Sequence, residues 1–166
     1  MTRVLVTGGA GFIGSNIADA LLARGDDVVI VDDLSSGKRD NVPSAATFIE
    51  GDLAEAGVAE RAVAGCAKIV HCAARPSVAA SIGDPLGATR ANLEATLRLV
   101  VAARDAAVER IVYSSTSAAY GDDVEGAATE GLREAPVSPY GMSKLAAEHT
   151  LRMAPRIYGL DTLCLR

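Results

Sequence analysis

Six short runs rich in valine and isoleucine recur along the chain, at residues 4–6, 28–31, 47–50, 68–72, 110–114 and 162–165, with longer helical patterns between them. Most of these runs lack polar alternation, which is the signature of strands covered on both faces. The intervening segments 13–24, 86–104 and 139–157, with a weaker one at 55–64, carry apolar residues at helical spacing. In the second, Leu86, Leu93, Leu97, Val100 and Val101 are expected to form one apolar stripe, and Gly25 and Gly65 stand where helices stop. Strand and helix in alternation predict an α/β fold: a doubly wound parallel sheet, since right-handed crossovers place helices on both faces.

Two longer loops, 74–85 and 118–138, follow strand ends and belong to the carboxyl edge of the sheet, where ligands bind in such folds. With 166 residues, 49% of them hydrophobic and 22% charged, the chain suits one domain and is too apolar for disorder. A strand at 160–166 with no covering helix suggests a chain cut before its last elements. The net charge of −5 argues against nucleic acid as a partner. No apolar run approaches the roughly 20 residues of a membrane span, and the N-terminus enters a strand-like run without a signal-peptide stretch. Cys66, Cys72 and Cys164 lack zinc-ligand spacing and read as small buried hydrophobes of a reducing compartment. A soluble cytoplasmic protein is expected.

Between the first strand and first helix stands Thr7-Gly8-Gly9-Ala10-Gly11-Phe12-Ile13-Gly14, with G-x-G-x-x-G at Gly9, Gly11 and Gly14 and G-x-x-G-x-x-G at Gly8, Gly11 and Gly14. Glycines there permit a tight turn and let a pyrophosphate approach backbone N–H groups at a helix N-terminus. A purely structural glycine turn shares the pattern. Asp32 closes the second strand, where an acidic residue accepts hydrogen bonds from a ribose 2′-hydroxyl. Asp32 and Asp33 would repel a 2′-phosphate, which favours NAD over NADP, although an Asp-Asp pair also suits a solvated turn. Asp52-Leu53 after the third strand could flank an adenine or simply turn the chain.

Tyr140 and Lys144 lie one helical turn apart on the helix opened by Ser138-Pro139, so both face the same way. An ammonium beside a phenol favours the phenolate, which can take a proton from an alcohol as hydride leaves its carbon. Ser114-Ser115-Thr116 ends the fifth strand on the same sheet edge, offering Thr116 as a hydroxyl for the reacting oxygen. Serine and threonine at strand ends are also ordinary caps.

Together these pieces resemble the extended short-chain dehydrogenase/reductases, in the NAD-dependent sugar-nucleotide epimerase/dehydratase branch and closest to its UDP-glucose 4-epimerase-like group. The resemblance spans essentially the whole chain. It rests on T-G-G-A-G-F-I-G, V-D-D-L-S-S-G, G-D-L at 51–53, H-C-A-A at 71–74, N-L-E-A-T-L at 92–97, S-S-T-S-A-A-Y-G at 114–121 and S-P-Y-G-M-S-K at 138–144. It implies a Rossmann-type domain over 1–166 with NAD as cofactor. Gly8, Gly11, Phe12, Ile13 and Gly14 would line the pyrophosphate turn, and Asp32, Asp33, Leu34, Ser35, Ser36 and Gly37 would hold the adenosine ribose. Asp52 and Leu53 would hold adenine, with Ala73, Ala74, Arg75, Asn92 and Ser114 along the cofactor. Tyr140 would be the base, Lys144 its partner and ribose ligand, and Thr116 the hydroxyl relay, for C4 epimerisation of a UDP-hexose through a 4-keto sugar.

Within the branch, 4,6-dehydratases need Asp-Glu after the threonine, and UDP-glucuronate decarboxylases usually carry a glutamate at the position of Ala118. Ser117 and Ala118 stand here and do no acid–base work, which leaves epimerisation or a simple reductase reaction of another sugar-nucleotide oxidoreductase of the family. Many galactose epimerases have a lysine where this chain has Pro76, with Arg75 as a partial replacement. Family members run to roughly twice this domain size, so a substrate domain is expected beyond the sequence. Family dimers pack through helices matching 86–104 and 139–157, which predicts a homodimer. A nucleotide sensor without catalysis is the competing reading, with Tyr140, Lys144 and Thr116 against it. His71 reads as a satisfied structural histidine, His149 as solvated, and Asp122, Asp123, Glu125 and Glu130 as a solvated acidic loop. No metal-ligand cluster is apparent.

Overall fold

The computed structural model describes residues 1–124 and 126–166; Glu125 lies outside the described residues. Six strands, β1 (Arg3–Thr7), β2 (Asp27–Asp32), β3 (Thr47–Glu50), β4 (Lys68–His71), β5 (Arg110–Ser114) and β6 (Asp161–Leu165), form one sheet in the order β3-β2-β1-β4-β5-β6. Every pairing is parallel. This is the doubly wound Rossmann arrangement, whose topological switch point lies between β1 and β4.

Successive residues of a strand point to opposite faces, so Leu5 and Val6 enter different cores. On one face α2 (Val58–Val63), α5 (Ala95–Asp105) and α6 (Pro139–Tyr158) bury Leu5, Val29, Ile69, Ile111 and Tyr113. On the other, α1 (Phe12–Ala23) covers Val6, Val28 and Ile30. The covering is incomplete at β6, where Leu163 and Leu165 remain 50% and 54% exposed while Cys164 and Thr162 turn towards α6.

Two expectations are corrected. The 74–85 segment is not simply a loop, because α3 (Val78–Gly83) forms there, capped by Ser77 and stopped at Asp84. Asp84 then caps α4 (Pro85–Thr89), which continues through a π turn (Arg90–Glu94) into α5. The apolar stripe of this run also divides. Leu86, Leu97 and Val101 face outward, and the face towards the sheet is Asn92, Ala95, Thr96, Leu99, Val100 and Ala103. Alanine lets the backbone approach the sheet closely, and Asn92 and Thr96 can be buried because the polar side-chain atoms of each find hydrogen-bond partners there. The wider π turn at that point is of the kind that recurs at functional sites.

Asp122, Asp123 and Glu130 are exposed in the loop before α6. Among the described residues, no helix is long and apolar enough to cross a membrane, no group of side chains could hold a metal ion, and the three cysteines are free thiols.

Candidate active site

The glycine turn is built by close contacts rather than by flexibility. Gly8 sits at φ +67°, and a Cβ there would lie 2.7 Å from the backbone nitrogen of Ala73 at the end of β4. A Cβ on Gly14 would collide with the Gly8 carbonyl, so bare glycine is what lets α1 start against the turn. Gly11, the N-cap of α1, differs: its Cβ would meet only the Gly8 oxygen, at 3.3 Å, and its open side lines a cavity. The unpaired N–H groups of α1 therefore face a space shaped for an anion.

That cavity, about 430 Å³, crosses the carboxyl ends of the strands from β3 to β5. Phe12 and Ile13 lie beside it, 84% and 55% exposed, as apolar surface awaiting a cover. Asp32 is nearly buried, its carboxylate accepting from the backbone N–H of Ala10 at 3.0 Å and of Leu34 at 2.8 Å. Asp33 accepts from both the backbone N–H (2.9 Å) and the hydroxyl (2.6 Å) of Ser35. Leu34, at φ +57°, and Gly37, whose Cβ would press on Ala10, shape this wall without lining it. Asp52 and Leu53 line the β3 end, where Asp52 is paired with Arg90 at 2.5 Å. Gly14, Ser35, Ser36, Ala73, Ala74 and Arg75 also line the cavity; Arg75 is held to Asp84 at 2.9 Å.

The opposite wall is α6 and the end of β5. Ser138 caps α6 through the Gly141 N–H (3.1 Å), and Pro139 occupies its first turn. Tyr140 and Lys144, on successive turns, both line the cavity beside Ser114 and Ser115. The Ser81 hydroxyl of α3 accepts the Tyr140 backbone N–H at 3.1 Å, so the unexpected helix supports this turn. Lys144 is 2% exposed, with Nζ 4.1 Å from the centre of the Tyr113 ring. Burial lowers its pKa to about 8. Burial likewise pushes Tyr113 upward, so that phenol stays neutral. Thr116 does not line the cavity; its Oγ1 accepts the Ala118 N–H at 3.1 Å and caps the short turn Ser117–Ala119.

Asn92 stands behind the wall, buried. Its Oδ1 accepts the Arg75 N–H (2.8 Å), its Nδ2 donates to Ser143 Oγ (2.9 Å), and Ser143 donates to the Tyr140 carbonyl (2.8 Å). His71 is entirely buried in a one-way chain. Ala73 N–H donates to Thr7 Oγ1 (3.1 Å), Thr7 to His71 Nδ1 (2.6 Å), His71 Nε2 to Thr96 Oγ1 (2.8 Å), and Thr96 to the Asn92 carbonyl (2.6 Å). Only the neutral ring with its proton on Nε2 satisfies both neighbours. Burial, and then the nearby Lys144 charge, hold its pKa down to about 3. His149 is exposed, 3.3 Å from Glu134.

Sequence reasoning missed Tyr113, Ser81, Ser143 and Arg90. Tyr113 was within reach, since it shares the inward phase of Ile111 in β5 and immediately precedes the serines. Ser81 and Arg90 act on partners distant in sequence, and Ser143, inside the S-P-Y-G-M-S-K run, shows its part only once Asn92 is brought against it.

A glycine cradle at a helix start, an acid at the end of β2 and a tyrosine–lysine turn on one cavity form a set with known relatives. The NAD dependent epimerase/dehydratase family matches residues 4–166. A UDP-glucose 4-epimerase of Azospirillum brasilense is 39% identical over 166 residues, covering 99% of this chain and 48% of its own length. The UDP-glucose 4-epimerase of Thermus thermophilus, solved in complex with NAD, superposes with TM-score 0.94 at 44% identity, over 99% of this chain and 54% of that one. A dTDP-glucose 4,6-dehydratase of Streptomyces venezuelae, with NAD and TYD bound, reaches 0.92 at 38%, over 98% and 54%. The chain thus spans about half the length of the relatives it matches. With the family model matched over residues 4–166 and the fold in agreement, the chain belongs to the NAD-dependent epimerase/dehydratase family.

Proposed function

We propose that residues 1–166 are the NAD-binding Rossmann domain and catalytic half of a nucleotide-sugar 4-epimerase acting on UDP-hexoses of the UDP-glucose/UDP-galactose type, its substrate domain lying outside this sequence. The observation that carries this reading is that Tyr140 and Lys144 share one cavity with Gly11 and Asp32. That cavity fits NAD: an open glycine face at the helix start, a fixed carboxylate for ribose hydroxyls, and apolar Phe12 and Ile13 to be covered.

When bound, NAD supplies the acceptor and donor of hydride. Tyr140 takes the proton of the sugar 4-hydroxyl and returns it after the 4-keto sugar has turned over. Lys144, one turn along α6, would hold the nicotinamide ribose with its ammonium. Thr116 stands next to Ser115, just outside the cavity lining, with its Oγ1 accepting from Ala118, and we assign its O–H to the reacting oxygen. Asn92 fixes the Arg75 loop and, through Ser143, the Tyr140 turn.

Ser117 and Ala118 favour epimerisation over the dehydration named for one of the relatives, because neither can protonate or deprotonate C5 or C6. Leu97 and Val101 of α5 and Met153 and Ile157 of α6 are exposed, and Arg104 lies over Tyr158 at 5.3 Å, joining the two helices. A second copy is the occupant we assign to this surface, making a homodimer. Three free thiols suit a reducing compartment, and we assign the protein to the cytoplasm. The test is proton NMR of UDP-galactose with NAD⁺ and the full-length protein. UDP-glucose is expected to appear, and Tyr140→Phe to lower kcat by about a hundredfold or more with NAD affinity kept. Unchanged turnover in that variant would sink the assignment.

A further inference from the structure

One turn beyond Lys144 on α6, Glu148 has a side chain only 1% exposed. An apolar residue would fill such a place at less cost, since a buried carboxylate survives only when its oxygens are fully bonded. They are. Oε2 accepts from Ser115 Oγ at 2.7 Å and from Arg166 Nε at 3.0 Å; Oε1 accepts from Arg166 Nη2 at 2.8 Å and pairs with Arg152 at 2.5 Å. Burial alone would raise its pKa, but the bonds from Arg166 and Ser115 hold it below the usual carboxylate range.

The bonded partners come from the end of β5, the end of β6 and α6 itself. Ser115 follows β5 and is tied twice, by its hydroxyl to α6 and by its N–H to the Leu165 carbonyl of β6 at 2.7 Å. Thr116 is the next residue. Arg166 follows β6 and lies 4.8 Å over the Tyr120 ring, and Arg166 and Arg152 both reach Glu134 of the loop before α6. Glu148 is thus the point where the helix carrying Tyr140 and Lys144 is fastened to the turn carrying Thr116.

We propose that Glu148 is a positioning residue of the reaction, holding through Ser115 the Thr116 turn in register with Tyr140 and Lys144. This rests on the function proposed above, and Tyr140→Phe serves as its control. In the full-length protein, Glu148→Gln and Ser115→Ala are each expected to lower kcat about tenfold or more, because a displacement of about 1 Å at reacting groups costs up to a hundredfold. KM and NAD affinity should stay within about twofold. The double variant should fall no further than Glu148→Gln alone, and Ser115→Thr, which keeps the hydroxyl, should restore kcat. Additive losses would overturn the proposal, since Ser115 would then act without Glu148. So would a lowered melting temperature with kcat unchanged, the mark of a merely structural pair. If Glu148→Gln does not fold, Ser115→Ala decides alone: wild-type kcat overturns the proposal, and a tenfold loss reversed by Ser115→Thr supports it. A fully active Tyr140→Phe would instead overturn the parent function.

Discussion

The ammonium of Lys144 rests 4.1 Å from the centre of the Tyr113 ring, inside the protein rather than in water. The ring face recovers part of the lost hydration, and the lowered pKa of about 8 measures what is not recovered. Below that pH both folded and unfolded chains carry the proton, so the folded state bears the full cost. Between about 8 and the ordinary 10.5 only the unfolded chain binds it, and stability rises with pH. Lys144→Met is therefore expected to abolish turnover and yet stabilise the fold at pH 7, by up to about 3 kcal/mol. Urea unfolding at pH 7 and pH 10 checks it, with the gain shrinking at the higher pH.

His71 gives a pH dependence of its own. Its folded pKa of about 3 lies below the ordinary 6.5, so between those values the unfolded chain takes up a proton that the folded one refuses. Stability should fall as pH drops below about 6.5, by up to about 1.4 kcal/mol per pH unit. Comparing unfolding at pH 7 and 5.5 in the wild type and in His71→Gln reads this histidine by difference, because His149 is common to both and the lowered carboxylates Glu134 and Glu148 titrate further down. His71→Gln should be less stable overall and show a flatter slope.

Two glycines of one turn should behave differently when given a methyl group. Gly14→Ala forces a collision with the Gly8 carbonyl and is expected to cost about 2 kcal/mol or more of stability. Gly11→Ala has only a 3.3 Å contact to meet, so its unfolding curve should shift by about 0.5 kcal/mol or less. Its methyl enters the cavity, and NAD titration should show affinity about tenfold weaker or worse.

Removing the Asn92 amide leaves the Arg75 N–H without its side-chain acceptor and the Ser143 hydroxyl without its donor. Asn92→Ala should cost about 1–2 kcal/mol in chemical denaturation, since two hydrogen bonds are lost while Ser143 still donates to the Tyr140 carbonyl. Asn92→Asp keeps the acceptor but not the donor, and should keep part of that stability.

Parts of this molecule that depend on neighbouring residues were legible in the sequence. β3 and β5 fall on their expected residues, and Gly25 and Gly65 end helices at φ +87° and +71°. Seventeen expected cofactor or catalytic residues line the cavity, from Gly8 to Lys144. What depends on distant partners was hidden. α3 is too short to show a period, and its value lies in Ser81 reaching Tyr140. Outward Leu86, Leu97 and Val101 imitate a core stripe, because the inward face of their helix is occupied by alanines and a polar network. Glu148 is fixed by Ser115 and Arg166, which are brought against it from other elements.

In the proposed reaction hydrogen leaves C4 of the sugar and returns to C4 within one active site. UDP-galactose deuterated at C4, incubated with the full-length protein and NAD⁺ in ordinary water and followed by NMR and mass spectrometry, reports where that hydrogen goes. UDP-glucose retaining its deuterium at C4 is the predicted product. Deuterium at C6 of a 4-keto-6-deoxy sugar, or UDP-glucose that has lost its deuterium to solvent, would rule that reaction out.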